Sequence, residues 1–289
     1  MTGKTSTSLV ATGLPGRPEP GGPPAHVTRV WDYFTGGSDH FRQDRDLGDR
    51  LTGVAPWLRS SVLAHRRHTT RAVKFLATEG FCQFLDLGCG LPYEERNEEM
   101  LHPHDAASTI RDSVRTMYVD DFGPARVGAD TILERDNRTL AVQADARDVP
   151  ALLARAREKN LFNLQRPVAV LAHSLPEWMD DHDALDLMND LHRHLPPGSA
   201  LSLTHAGTGT EHEDAVLAQR SLYATAGIGF FPRSHGHVRA LLGRWVVQNP
   251  GVVRTELWGT GYGPFAQRVP RKARDVTGSY AAIALSTAP

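Results

Sequence analysis

The chain has 289 residues, a formal net charge of −1 and 40% hydrophobic residues, which is typical of a soluble globular protein. The near-zero charge gives no field that would draw the protein to nucleic acid or to an anionic membrane. No apolar run reaches the roughly 18 residues that a membrane span requires. With two cysteines and no secretion signal, we expect a cytoplasmic protein without a disulfide framework or a metal site.

The beginning of the chain differs in composition from the rest. Residues 1–25 are rich in Gly, Pro, Ser and Thr and offer little to a core, so we predict a disordered tail. Ordered structure is expected from about residue 26, where Val27, Trp31 and Phe34 follow helical spacing up to a Gly-Gly pair. A second helix is predicted over 59–79.

From about residue 83, short apolar runs alternate with longer amphipathic segments. This alternation predicts a parallel, doubly wound α/β sheet, because each parallel strand needs a helical crossover before the next. Near the end, two further runs lack a helical pattern between them and must be antiparallel if they are neighbours. The predicted strands are 84–87, 116–120, 140–144, 168–173, 200–206, 252–259 and 280–286, with helices over 149–160 and 180–195.

The first predicted strand ends in "LDLGCG", which places Asp86, Gly88 and Gly90 at the turn that follows it. Dinucleotide-binding folds and S-adenosylmethionine enzymes both use such a turn, because glycine lets the backbone approach a ligand. A dinucleotide site expects a third glycine and a cradle of backbone N–H groups for pyrophosphate. Here Leu91 and Pro92 follow instead, and the proline removes a donor. An NAD(P)-dependent oxidoreductase is therefore the weaker alternative.

Acids stand at the ends of three successive predicted strands: Asp86, Asp120 and Asp145. S-adenosylmethionine has no phosphate but carries a sulfonium, an amino-acid end, ribose hydroxyls and an adenine amine, all of which carboxylates can bind. The order of the three acids therefore favours this cofactor. Acids at the start of solvated loops are the alternative interpretation.

Several segments between residues 27 and 286 resemble the actinobacterial family of S-adenosylmethionine-dependent methyltransferases that was long catalogued as a domain of unknown function. The most family-specific is the N-terminal piece with its Gly-Gly-x-Asp. The matching segments include "VTRVWDYFTGGSDHF" (27–41), "FLDLGCGLP" (84–92), "YVDD" (118–121), "VQADARD" (142–148) and "LPPGSALSLTHA" (195–206).

The resemblance implies a Rossmann-like class I methyltransferase sheet of seven strands, the last antiparallel, with an N-terminal helical lid. We expect one domain over 26–289, made of the lid (26–80), a cofactor-binding core (81–206), a cap or acceptor segment (207–250) and closing strands (251–289). S-adenosyl-L-methionine is the implied cofactor. Its implied binding residues are Tyr33, Asp39, Asp86, Gly88, Gly90, Asp120, Asp121, Ala144, Asp145 and His173.

A methyl acceptor would lie beyond the ends of the fourth and fifth strands. His173, Glu177 and His205 are the candidate catalytic residues there, because transfer to a hydroxyl or a protonated amine needs a base within reach. Glu177 stands where the family often has a histidine. The expected partner is a small-molecule acceptor, without nucleic acid or membrane. The alternative is a cofactor-binding protein that has lost transfer activity and acts as a sensor or binds a partner.

Overall fold

The computed structural model describes residues 22–92, 98–125, 128, 137–208, 213–259 and 278–287. Most of the predicted tail, residues 1–21, lies outside the described residues, as does the segment 260–277 between the predicted closing strands. The helices are α1 (Val27–Thr35), α2 (Arg42–Val54), α3 (Leu58–Thr78), α4 (Pro103–Ser108), α5 (Val149–Glu158), α6 (Asp181–His194), α7 (Glu213–Thr225) and α8 (His235–Leu241). The strands are β1 (Gln83–Leu87), β2 (Arg115–Asp120), β3 (Thr139–Gln143), β4 (Ala169–His173), β5 (Ala200–Ala206), β6 (Val246–Val247), β7 (Val253–Arg254) and β8 (Ser279–Leu285).

These strands form one mixed sheet. β1 to β5 are parallel and lie in the order β3-β2-β1-β4-β5, and β8 pairs antiparallel with β5. β6 and β7 follow one another along the other edge of β8, so together they act as one interrupted edge strand. When β6 and β7 are counted as one edge strand, the predicted doubly wound sheet of seven strands with an antiparallel last strand is confirmed. The carboxyl ends of β1 and β4 adjoin where the strand order reverses, which is where such sheets bind ligands.

The first closing strand was predicted over 252–259, and this is wrong beyond Arg254. Thr255–Leu257 form a short 3-10 turn instead. The guanidinium of Arg71 donates to the carbonyls of Thr255 and Trp258, at 3.1 and 3.2 Å, and so draws the segment away from the sheet edge. The two-residue β6 was not predicted, because it is too short to show an alternating pattern.

The core has two layers because successive strand residues point to opposite faces of the sheet. On one face, Leu85 and Leu87 of β1 pack in a buried cluster with α5, α6 and α8. On the other face, Phe84 packs with Val73 and Leu76 of α3. The helix α3 is therefore an integral cover of the sheet.

A third buried cluster joins α1 and α2 to α7. Its members include Val30, Phe34, Leu51, Tyr223 and Phe230, all at most 9% exposed. The N-terminal helices thus rest on the segment after β5 and close over the carboxyl edge of the sheet. We call α1, α2 and α7 the cap.

Candidate active site

A cavity of about 340 Å³ lies at the carboxyl edge of the sheet, beneath α1. This volume is within the range of about 300–1,000 Å³ that is usual for small-molecule sites. We call it the cofactor cavity, after the cofactor site that the sequence predicts at this edge of the sheet. Six of the residues predicted to bind the cofactor line it: Gly88, Gly90, Asp120, Asp121, Asp145 and His173.

The turn after β1 brings bare backbone to the cavity wall. Gly88 and Gly90 both have φ of +68°, a left-handed conformation that disfavours any side chain. A Cβ on Gly88 would lie 3.0 Å from Cδ1 of Leu175, and one on Gly90 would lie 3.3 Å from Nη2 of Arg66. Glycine is therefore needed at both positions for conformation and for space.

Asp120 ends β2 and closes this turn from the neighbouring strand. Its Oδ2 accepts from the backbone N–H of Gly90 and its Oδ1 from that of Phe122, both at 2.9 Å. Burial raises the pKa of Asp120, and the two backbone donors oppose that rise. Because a carboxylate has about four acceptor positions, the fixed group can still accept bonds from two hydroxyls in the cavity.

Arg66 of α3 lines the cavity beside the glycine turn. Its Nη1 donates to the carbonyl of Cys89 at 3.4 Å, and its guanidinium lies 5.8 Å from the ring centre of Trp31. Asp86 is buried within β1, behind the turn. Burial raises the pKa of Asp86 to about 7, with Arg66 opposing and Asp120 adding to the rise. The predicted acid thus lies behind the turn, and Arg66 brings a positive charge to the cavity wall.

Asp145 follows β3 at the far end of the cavity and is already paired. Arg147 binds it through Nη2 and Nε at 2.8 and 3.1 Å, and the same guanidinium contacts Asp183 at 2.5 Å. The hydrogen bonds from Arg147 are the main cause of the lowered pKa of Asp145. Ala144, predicted to lie near adenine, packs against the core, and Ala146 lines the cavity.

His173 ends β4 and lies between two hydroxyls. Its Nδ1 is 2.8 Å from Oγ1 of Thr69, and its Nε2 is 2.8 Å from Oγ of Ser202. Burial lowers the pKa of His173 to about 3, so the imidazole is neutral at physiological pH. Both ring nitrogens are hydrogen-bonded within the protein, so His173 stabilises the cavity wall.

The next residue, Ser174, was not predicted. It adopts φ of +53°, which is uncommon for a residue with a side chain and tends to persist at functional sites. Its Oγ is 2.7 Å from Nδ1 of His65, and its N–H donates to Oγ1 of Thr204 at 2.9 Å. These bonds hold the strained residue at the cavity wall, and no sequence pattern predicts such a conformation.

The other two candidate catalytic residues lie deeper. The side chain of Glu177 accepts from the N–H of Ala206 at 2.7 Å, and burial raises the pKa of Glu177 to about 8. His205 donates from Nδ1 to the carbonyl of Ala206 and accepts at Nε2 from Arg233, at 2.8 and 2.7 Å. Burial lowers the pKa of His205 to about 4. His205 is 0% exposed, so it supports Arg233 from inside the fold.

Tyr33 and Asp39, expected to fold over the cofactor, lie toward the outside of the cap. The hydroxyl of Tyr33 donates to Asp49 at 2.6 Å, and the exposed Asp39 is held through its N–H by Asp32 at 2.9 Å. Earlier residues of the same segment, including His26 and Trp31, line the cavity instead.

A second, smaller cavity of about 50 Å³ adjoins the first. We call it the aromatic chamber. Trp31 and Trp178 line both cavities and form their common wall. The chamber is further lined by Trp57, Glu177, Tyr223 and Phe230.

Neither cavity contains a metal centre formed by the described part of the chain, where no group of three or more His, Cys, Asp or Glu side chains could hold an ion. Among the same residues, no helix is long and apolar enough to cross a membrane.

The parallel sheet with its antiparallel closing strand, the glycine turn after β1 and the acids at successive strand ends define a class I methyltransferase fold. The S-adenosyl methyltransferase family model matches residues 22–287, and the chain belongs to that family. It is therefore an S-adenosylmethionine-dependent methyltransferase, with S-adenosylmethionine as its cofactor.

Two solved structures are similar over nearly the whole chain. A Thermobifida fusca protein solved as a candidate methyltransferase is 26% identical, with 92% of this chain and 96% of that one covered at a TM-score of 0.78. A DUF574 family protein of Streptomyces avermitilis is also 26% identical, with 91% and 98% covered at a TM-score of 0.79. A comparison with functionally curated proteins returned no match.

Proposed function

We propose that the protein transfers the methyl group of S-adenosylmethionine to a small-molecule acceptor in the aromatic chamber. The observation that carries this proposal is the shared wall: Trp31 and Trp178 line both the cofactor cavity and the chamber. Methyl transfer gains most from holding two reactants close and aligned, so the acceptor should bind in a cavity that shares lining residues with the cofactor cavity. The small volume of the chamber, about 50 Å³, favours a small group over a segment of protein or nucleic acid.

The residues of the cofactor cavity fit S-adenosylmethionine, which supplies an electrophilic methyl group on its sulfonium. Arg66 would bind the carboxylate of the methionine end, beside the close backbone approach at Gly88 and Gly90. Asp120 would accept hydrogen bonds from the ribose hydroxyls. Asp145 would bind the adenine amine, which requires it to share its acceptor positions with Arg147.

Of the three candidate catalytic residues, Glu177 would face the acceptor, because it alone lines the chamber. His173 would fix the wall of the cofactor cavity through Thr69 and Ser202. His205 would act as a positioning residue, through Arg233.

The experiment uses S-adenosylmethionine labelled in its methyl group, incubated with the enzyme and an actinobacterial extract that is then separated by mass. We expect label in the small-molecule fraction with the wild type and, at a cofactor concentration below saturation, much less with Asp120→Ala. Label in protein or nucleic acid would contradict the proposed acceptor class. Cofactor binding without transfer to any fraction would contradict the proposed transfer.

A further inference from the structure

We propose that the acceptor carries a protonated amine and that Glu177 binds this group inside the aromatic chamber. This inference rests on the proposed function and assigns the chemical class of its acceptor. Neither the family nor the similar structures give that class.

The charges of the chamber favour a cation. Glu177 is the one carboxylate among the sixteen residues that line it, all of them described, and none of the sixteen is Lys or Arg. His65 also lines the chamber, but burial lowers the pKa of His65 to about 3, so it adds no positive charge. Arg233 is the nearest cation that acts on Glu177, but it lies behind the wall and is paired with Asp181, so an anionic acceptor would meet a carboxyl and no cation on the wall itself.

The aromatic rings around Glu177 suit the same group. Trp178 lies 5.3 Å from the ring centres of both Tyr223 and Phe230, and these two rings are 5.0 Å apart. Trp31 and Trp57 complete the wall. A cation near the face of such rings is attracted by the negative charge of the ring face, and Trp is the most effective ring.

The carboxyl of Glu177 is held in place yet retains capacity to bind. The N–H of Ala206 donates to Oε2, and the N–H of Phe231 donates to the backbone carbonyl of Glu177, both at 2.7 Å. One hydrogen bond at the carboxyl leaves further acceptor positions for an N–H donor.

The burial of Glu177 also favours its pairing with an ammonium group. It raises the pKa of Glu177 to about 8, although the N–H of Ala206 and the charge of Arg233 oppose the rise, so the group is mostly neutral near pH 7 when no ligand is bound. A bound ammonium would favour the ionised form, because opposite charges attract strongly in a site that excludes water. The site therefore gains most from a ligand that brings a positive charge.

The test titrates the protein, saturated with S-adenosylhomocysteine, with methylamine and with the uncharged methanol by calorimetry, because both are small enough for a chamber of about 50 Å³. The wild type should bind the amine at least tenfold more tightly than the alcohol. Glu177→Gln, which is nearly the same size, should lose this preference. Glu213→Gln, an exposed change on α7, should keep it.

Three results would overturn the proposal: equal binding of amine and alcohol, no binding of either, or a preference that survives in Glu177→Gln. The affinity for S-adenosylhomocysteine separates this failure from failure of the proposed function. Unchanged cofactor affinity in Glu177→Gln shows that the variant is folded and that the cofactor cavity is intact. A wild type that binds no S-adenosylhomocysteine would instead contradict the proposed function itself.

Discussion

Gly90 shows how a single residue fixes the geometry of the cofactor cavity. Its φ of +68° costs a residue with a side chain about 1–2 kcal/mol, and the added Cβ would press against Arg66. We therefore expect Gly90→Ala to weaken binding of S-adenosylhomocysteine at least tenfold in a calorimetric titration. Gly227→Ala is the matched control, since Gly227 also has a positive φ of +74° and a Cβ there meets nothing within 4 Å. Equal loss in both variants would contradict this account.

Glu177 gives the folded protein a specific dependence on pH. Its pKa is about 8 in the folded state against 4.5 in the unfolded chain, so unfolding between these values releases its proton. The contribution of Glu177 to stability is therefore fully present below pH 4.5 and is lost as the pH rises toward 8.

Glu177→Gln removes this titration. The free energy of unfolding of the variant, relative to the wild type, should increase by about 1.4 kcal/mol for each pH unit within that window. Urea unfolding at pH 5, 6 and 7 measures the difference, with the exposed Glu213→Gln as control. Parallel pH profiles for wild type and Glu177→Gln would contradict the buried, protonated carboxyl.

Sequence patterns identified the part of the site that lies at the ends of predicted strands. Gly88 and Gly90 come after the first predicted strand and Asp120 ends the second, so their position at the carboxyl edge could be predicted from strand order. Arg66 could not, because packing between α3 and the turn after β1 brings it to the cavity. Arg66 is one of four arginines on α3, and nothing in the local sequence distinguishes it.

At the level of elements, Arg233 fixes the segment between β4 and α6 that carries Glu177 and Trp178. It donates to the carbonyls of Pro176 and Met179, at 2.8 and 2.9 Å, and its Nε binds Asp181 at 2.8 Å. The segment is thereby attached to the chain that follows the cap helix α7.

Arg233→Ala should lower the free energy of unfolding by about 2–3 kcal/mol, because two carbonyls and His205 lose a charged donor. Arg233→Lys should recover only part of this loss, since one ammonium cannot reproduce the several coplanar N–H donors of a guanidinium. Chemical denaturation measures both, with the exposed Arg239→Ala as control. A change within 0.5 kcal/mol of that control would show that Arg233 does not hold the segment.

The sequence predicted those elements whose apolar residues all pack against the central core, because such elements show a regular apolar pattern. The strand predicted over 200–206 has the same bounds as β5, and the helix predicted over 180–195 matches α6 within one residue at each end. The helix α2 was not predicted, because Leu47 and Leu51 are its only buried apolar side chains. Its position depends on the cap, which no local pattern reveals.

At the scale of the whole molecule, the site lies between the sheet edge and the cap, two parts that are distant in sequence. The sheet edge supplies the glycine turn and Asp120, and α1 of the cap supplies Trp31. The cap itself is held by contacts between α1, α2 and α7. Cofactor binding should therefore depend on both parts, although the charged side chains that line the cavity come mainly from the sheet edge and α3.

The most direct test of the central claim is a calorimetric titration of S-adenosylhomocysteine into the wild type, Asp120→Ala and the exposed control Asp214→Ala. The wild type and the control should bind with equal, micromolar affinity. Asp120→Ala should bind at least tenfold more weakly, because it loses both the acceptor proposed for the ribose hydroxyls and the bond that holds Gly90. Full affinity in a folded Asp120→Ala protein, or no binding by the wild type, would contradict the assignment of the cofactor cavity.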